Sequence, residues 1–119
     1  MLYTLDHIQI AIPPAQEVIA RKFYIEVLGF VEVPKPTSLA NRGGCWLEQG
    51  NIKLHLGVDN DFHAARKAHP DLLTDNLNKL IDHCKAAGCE LQHDVPLPGY
   101  DRIHLFDPFG NRIELMQKK

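Results

Sequence analysis

Imidazoles and a carboxylate are the usual ligands of divalent Zn, Ni, Mn, Co and Fe(II), and this chain of 119 residues carries seven histidines. Glu114 stands between Ile113 and Leu115, behind a turn marked by Asp107, Pro108 and Gly110. A carboxylate in an apolar run is costly to bury unless a positive partner sits opposite. Strand alternation sorts the candidates by face. In "LDHIQIAI", Ile8, Ile10 and Ile12 face one way, and His7, Gln9 and Ala11 the other. In "NIKLHLGV" the aliphatic residues share a face, which leaves Lys53, His55 and Gly57 opposite. "AHPDLL" offers His69 and Asp71, "DRIHLF" offers Arg102, His104 and Phe106, and "NRIELM" offers Arg112, Glu114 and Met116. His7, His55, His69 and Glu114 thus fall on the chemically mixed faces. Three or four such ligands leave coordination positions open, through which a metal polarises a substrate oxygen or activates water.

Those faces require strands and helices to hold them. Pro13-Pro14 stops the first strand and suits a first helical turn; Ala15, Ile19, Phe23 and Val27 then recur every four residues up to Gly29, predicting a helix over 15–28. "FVEV", "GCWLEQ" and "IKLHLGV" read as strands, the last two joined at Gly50-Asn51. The order then restarts. "AHPDLLT" (68–74) predicts a short strand with Pro70 at its start or edge. Asp75 is the expected N-cap of a second helix with the stripe Leu77, Leu80, Ile81 and Cys84, stopped at Gly88. "CELQH", "DRIHLF" and "NRIELM" complete the set. The helix stops Gly29 and Gly88, the histidines His7 and His69, and the turns "QGN" and "FGN" recur at a period of about sixty residues. The expected fold class is α+β: two βαβββ modules in tandem, their mixed sheets curling into an open cup. Module one covers about 1–58, a linker about 59–67, and module two about 68–119, within one domain.

Composition narrows the function classes. A net charge of −2 gives no case for nucleic acid or an anionic membrane. No apolar run is long enough to span a bilayer, and "MLYTLDHIQI" lacks the regions of a signal peptide. Cys45, Cys84 and Cys89 form no CxxC and read as reduced, core-filling thiols. A cytoplasmic protein is expected.

"LDHIQIAI", "AHPDLLTDNLNKLIDHCKAAG" and above all "DPFGNRIEL" resemble the vicinal oxygen chelate superfamily, whose closing strand looks like D-P-x-G-x-x-x-E. The resemblance covers essentially the whole chain. That superfamily groups glyoxalase I, fosfomycin-resistance thiol transferases, extradiol dioxygenases, methylmalonyl-CoA epimerases and bleomycin-resistance proteins. The resemblance implies one divalent metal ion on His7, His69 and Glu114, with His55 as a fourth ligand, and a homodimer. Aligning the two GN turns sets Leu54 opposite Glu114, whereas strand parity favours His55. Candidate catalytic groups are Glu114, Glu48 (as an epimerase-like base) and His104. Candidate substrate-binding groups are Gln9, Trp46, Tyr100 and Arg102, with Arg112 a second arginine of the kind a glutathione pocket uses. Trp46, Tyr100, Phe106 and Phe109 are possible stacking walls. "HDVPLPGYD" lacks the serine-rich loop and lysine of the fosfomycin transferases, and extradiol dioxygenases generally carry four modules. The expected function is a glyoxalase-like metalloenzyme of lyase, isomerase or transferase type, which chelates a small oxygen-bearing substrate and stabilises an enediolate or oxyanion. The alternative is a non-catalytic small-molecule or antibiotic binder of the bleomycin-resistance kind.

Overall fold

A computed structural model describes all 119 residues. The chain forms two compact units, Met1–His63 and Ala64–Lys119. Each is a βαβββ module of an α+β fold with its own four-stranded mixed sheet. The first unit holds β1 (Ile8–Ile12), α1 (Glu17–Arg21), β2 (Val31–Val33), β3 (Cys45–Gln49) and β4 (Ile52–Val58). The second holds β5 (Asp71–Leu73), α2 (Leu77–Ala86), β6 (Glu90–Gln92), β7 (Tyr100–Phe106) and β8 (Arg112–Lys118). Strand order is β1-β4-β3-β2 in one sheet and β5-β8-β7-β6 in the other. In each sheet the first strand runs parallel to the last and the remaining pairs are antiparallel.

The core of the first unit takes Ile10, Ile12, Leu47, Leu54 and Leu56 from the strands with Ala20, Phe23, Tyr24 and Leu28 from the helical segment. The second takes Ile103, Leu105, Ile113 and Leu115 with Leu77 and Cys84. Each fully buried aliphatic or aromatic side chain contributes about 1.5–3 kcal/mol relative to exposure.

The helical segment of the first unit departs from the expected 15–28. Ala15 adopts a positive φ of 62°, so Pro13 and Pro14 lie in a turn ahead of α1 rather than in its first turn. From Lys22 to Val27 the helix widens into π geometry, and Leu28 N–H donates to Phe23 O, five residues back, at 3.1 Å. The extra residue per turn rotates the buried face. Ala20, Phe23, Tyr24 and Leu28 go inward, while Ile19 stays 47% exposed.

Two corrections fall in the second unit. The N-cap of α2 is Asn76, not Asp75: Asn76 Oδ1 accepts Lys79 N–H at 3.1 Å. Gln117 Oε1 takes the next free donor, Leu77 N–H, at 2.7 Å, which ties the helix start to β8. Strand β5 is shorter than 68–74, because Pro70 precedes it and only its carbonyl serves the sheet, accepting Glu114 N–H at 2.9 Å. His69 therefore lies just ahead of β5, as His7 lies just ahead of β1.

The two closing hairpins differ in length. Gln49 pairs with Ile52 across Gly50-Asn51, but Phe106 pairs with Arg112 across residues 107–111. Registers follow from this. In the first sheet Gln9, His55 and Trp46 form one row; in the second, Asp71, Glu114 and His104 form the matching row. His55, not Leu54, occupies the place of Glu114. No helix is long and apolar enough to cross a membrane.

Candidate metal centre

The turn before β8 is built to hold that strand in place. Asp107 Oδ1 accepts the N–H groups of Phe109 and Asn111, both at 2.9 Å. Asn111 Nδ2 returns a bond to Asp107 Oδ2 at 2.8 Å, and both residues are buried. Three residues beyond Asn111 stands Glu114, 3% exposed.

Glu114 has a fixed positive partner that parity alone did not reveal. Arg102 Nη1 donates to Glu114 Oε1 at 2.8 Å. Arg102 Nε donates to Val95 O at 3.0 Å, and its Nη2 lies 3.6 Å from Asp94 Oδ2. Arg102 pairs with Met116 in the ladder and so meets Glu114 along the diagonal. The expectation of Arg102 as a substrate contact thus meets a side chain already holding Glu114 and the 94–95 loop.

The other carboxylate oxygen, Oε2, faces His69 Nε2 at 3.6 Å. His69 Nδ1 lies 2.7 Å from Lys67 O. A carbonyl only accepts, so Nδ1 carries a proton and Nε2 is the ring nitrogen turned toward the carboxylates. Asp71 Oδ1 is 3.3 Å from the same Nε2. Asp71 and Glu114 sit side by side in register. Partial burial, with the hydrogen bond and charge of Glu114, pushes Asp71 up to about 6. Burial pushes Glu114 up as well, but hydrogen bonds to Asp71 and Arg102 outweigh it and hold Glu114 below its ordinary value. His104 pairs with Glu114 across β7 and β8, its Nε2 3.7 Å from Glu114 Oε1. Burial, aided by the charge of Arg112, lowers the His104 pKa and keeps the ring neutral.

His69, His104 and Glu114 each offer one ligand atom, and these atoms all lie within 4.8 Å of one another. An imidazole nitrogen turned toward adjoining carboxylates calls for a proton or a cation between them. Two imidazoles and a carboxylate are a donor set that fits a divalent first-row metal. The sequence places Asp71 and His104 on the mixed faces but not beside Glu114; that neighbourhood lies in the register, which sets both next to Glu114 in one row. Tyr100 opens β7 opposite Lys118, four residues before His104 on the same face.

The corresponding face of the first unit has a different character. His7 and His55 stack with centroids 4.1 Å apart, and Trp46 covers the other face of His55 at 4.0 Å with an interplanar angle of 2°. His7 Nδ1 is fixed by Asp6 Oδ2 at 2.9 Å. Burial, and then the neighbouring His7, lower the pKa of His55. A cavity of about 670 Å³ opens here, walled by His7, Gln9, Trp46, Glu48 and His55. The cavity thus belongs to the first unit and the three-donor cluster to the second.

Comparison with known proteins gives the context. The glyoxalase-like domain family matches residues 9–116. No protein of curated function matches significantly. A solved structure of a protein assigned to the glyoxalase family, from Bacillus anthracis, is 39% identical, with a TM-score of 0.95, over 100% of this chain and 98% of its own. The fosfomycin resistance protein FosX from Listeria monocytogenes shares the fold at 15% identity and a TM-score of 0.81, over 100% of this chain and 94% of its own. So does TnmS3, an antibiotic binding protein from Streptomyces sp. CB03234, at 18% identity and a TM-score of 0.75, over 100% of both chains. With a family match from Gln9 to Met116, and relatives that share both its sheets, the chain belongs to the glyoxalase-like domain family of the vicinal oxygen chelate superfamily.

Proposed function

We propose that the protein is a divalent-metal-dependent enzyme of lyase, isomerase or transferase type acting on a small substrate with paired oxygen atoms. The observation that carries this reading is the cluster of His69, His104 and Glu114, whose ligand atoms lie within 4.8 Å of one another, with His69 Nε2 turned toward Glu114 and Asp71. In the second unit His69, His104 and Glu114 are the donors; His7 and His55 are the donors that family resemblance assigns in the first. A divalent ion would supply Lewis acidity toward the substrate oxygens. The chain's own residues do the rest. Lys67 O fixes the His69 tautomer, and Arg102 fixes Glu114 Oε1. The first-unit cavity offers Gln9 and Trp46 as ligand contacts and Glu48 as a carboxylate for proton transfer. A cytoplasmic homodimer with reduced Cys45, Cys84 and Cys89 belongs to the same reading.

Elemental analysis of the purified protein is expected to find stoichiometric divalent metal. After chelation, Zn, Ni, Mn, Co or Fe(II) raises the melting temperature, by about 2.7 kcal/mol of stabilisation at a free ion concentration 100-fold above Kd. His69→Ala and Glu114→Ala abolish the shift. Metal-free wild-type protein whose melting is unmoved by any of these ions would sink the proposal. A non-catalytic binder is the second reading, favoured by the stacked Trp46 wall of the cavity. It expects an aromatic ligand to quench the single tryptophan equally with and without metal.

A further inference from the structure

Arg112 opens β8 opposite Phe106, and alternation sets it on the face that carries Glu114. Its Nε–H is buried with no hydrogen-bond partner. The arginine ion pairs of the chain belong to Arg21 and Arg102 instead. A buried, unpaired donor on a permanent cation is an unfavourable arrangement that calls for an acceptor.

A second guanidinium is held beside Phe106, the cross-strand partner of Arg112. Ala65 N–H donates to Asn111 Oδ1, and Arg112 N–H donates to Ala65 O, both at 2.9 Å. These two bonds tie residues 64–66 to the start of β8. Arg66 then lies over the Phe106 ring, 5.5 Å from its centroid. Gly110, with φ +92°, leaves the room: a Cβ there would meet Ala64 Cβ at 3.3 Å and Arg66 Nη2 at 3.5 Å. Phe106 thus has Arg66 over its ring and Arg112 as its cross-strand neighbour, and no carboxylate pairs with either. The planar fork of arginine matches the oxygens of carboxylate, phosphonate and phosphate groups.

We propose that Arg66 and Arg112 form an oxyanion site beside Phe106, which takes the anionic oxygen group of a ligand. That this group belongs to the ligand chelated at the donor cluster rests on the function proposed above; the oxyanion site itself does not. The turn of residues 107–111 then has two tasks. It sets the register that faces Glu114 toward His104, and it clamps the segment that delivers Arg66.

Inorganic phosphate titrated into chelator-treated, full-length protein tests this without any metal, read by calorimetry and by phosphorus NMR. Saturable binding is expected, weakened about tenfold or more by Arg112→Gln and by Arg66→Gln. Arg112→Lys recovers part of it, and Lys79→Gln on the exposed side of α2 leaves it unchanged. Arg66 is exposed, so its variant is expected to fold and keeps the test decisive should Arg112→Gln be poorly folded. Wild-type protein without saturable phosphate binding overturns the proposal, as does undiminished binding by both Arg66→Gln and Arg112→Gln. Metal binding is followed separately: His69→Ala is expected to lose zinc yet still bind phosphate. Phosphate binding in a protein that takes up no metal removes the metal reading and supports the oxyanion site.

Discussion

Glu114 divides its two oxygens between a permanent cation and an imidazole nitrogen. Oε1 is taken by Arg102 at 2.8 Å, and Oε2 faces His69 at 3.6 Å. Since the Glu114 side chain is almost wholly buried, removing its guanidinium leaves an uncompensated charge. Arg102→Met is therefore expected to cost about 1–3 kcal/mol in metal-free protein, less than for a fully buried pair because Arg102 keeps some contact with water. Urea denaturation measures it, and added zinc should recover part of the loss by supplying positive charge at the same carboxylate. A variant as stable as wild type would show that Glu114 is satisfied without Arg102. Parity placed Glu114, His104 and Arg102 on one face from sequence alone. It could not show that Arg102 reaches Glu114, because that contact is diagonal, and a diagonal depends on register. Register in turn depends on the number of residues in the turn.

At the scale of elements, two backbone positions are expected to respond in opposite directions. Gly44 leads into β3 with φ +72°, and a Cβ there would fall 1.9 Å from Leu56 O, a backbone atom of β4. Gly44→Ala must therefore separate β3 from β4 at the Cys45–Leu56 pair, next to the row of Trp46 and His55. A loss of at least about 3 kcal/mol is expected. Ala15, by contrast, already holds a left-handed φ of 62°, which costs an L-residue about 1–2 kcal/mol. Ala15→Gly is expected to be neutral or to stabilise by up to about 1 kcal/mol, since glycine loses more entropy on folding. Chemical denaturation of both variants decides it, and the opposite order of effects would refute the strain assignment. These sites also mark what periodicity conveys. The strands alternate cleanly and were legible, as were the helix stops at Gly29 and Gly88. The π turn was not, because Ala20, Phe23, Tyr24 and Leu28 also fit the i, i+3, i+4, i+8 stripe of a regular α-helix. The cap moved from Asp75 to Asn76 for a similar reason. Either side chain can cap a helix, and the choice follows from where β8 presents Gln117 to Leu77 N–H.

For the whole molecule, the repeat is one backbone plan carrying two chemistries. Each unit pairs its first strand in parallel with its last, and each sets a histidine just before that first strand. The row Gln9–His55–Trp46 of the first unit answers Asp71–Glu114–His104 of the second. One row is aromatic and stacked; the other has two carboxylates and an imidazole. The equivalence of His7 with His69, and of His55 with Glu114, makes a prediction about where metal binding is felt. His7 Nδ1 and His69 Nδ1 are both held by an oxygen acceptor, Asp6 and Lys67 respectively, which leaves each Nε2 as the free ligand atom. If His7 and His55 are donors as well as His69 and Glu114, zinc should slow amide hydrogen exchange in β1 and β4 as much as in β5 and β8. His7→Ala and His55→Ala should each weaken zinc affinity by about 10-fold or more. Protection confined to β5, β7 and β8, with both first-unit variants binding zinc normally, would strike His7 and His55 from the ligand set. The stacked row of the first unit would then be left as a wall for the ligand alone, and the metal would belong to the row of Glu114.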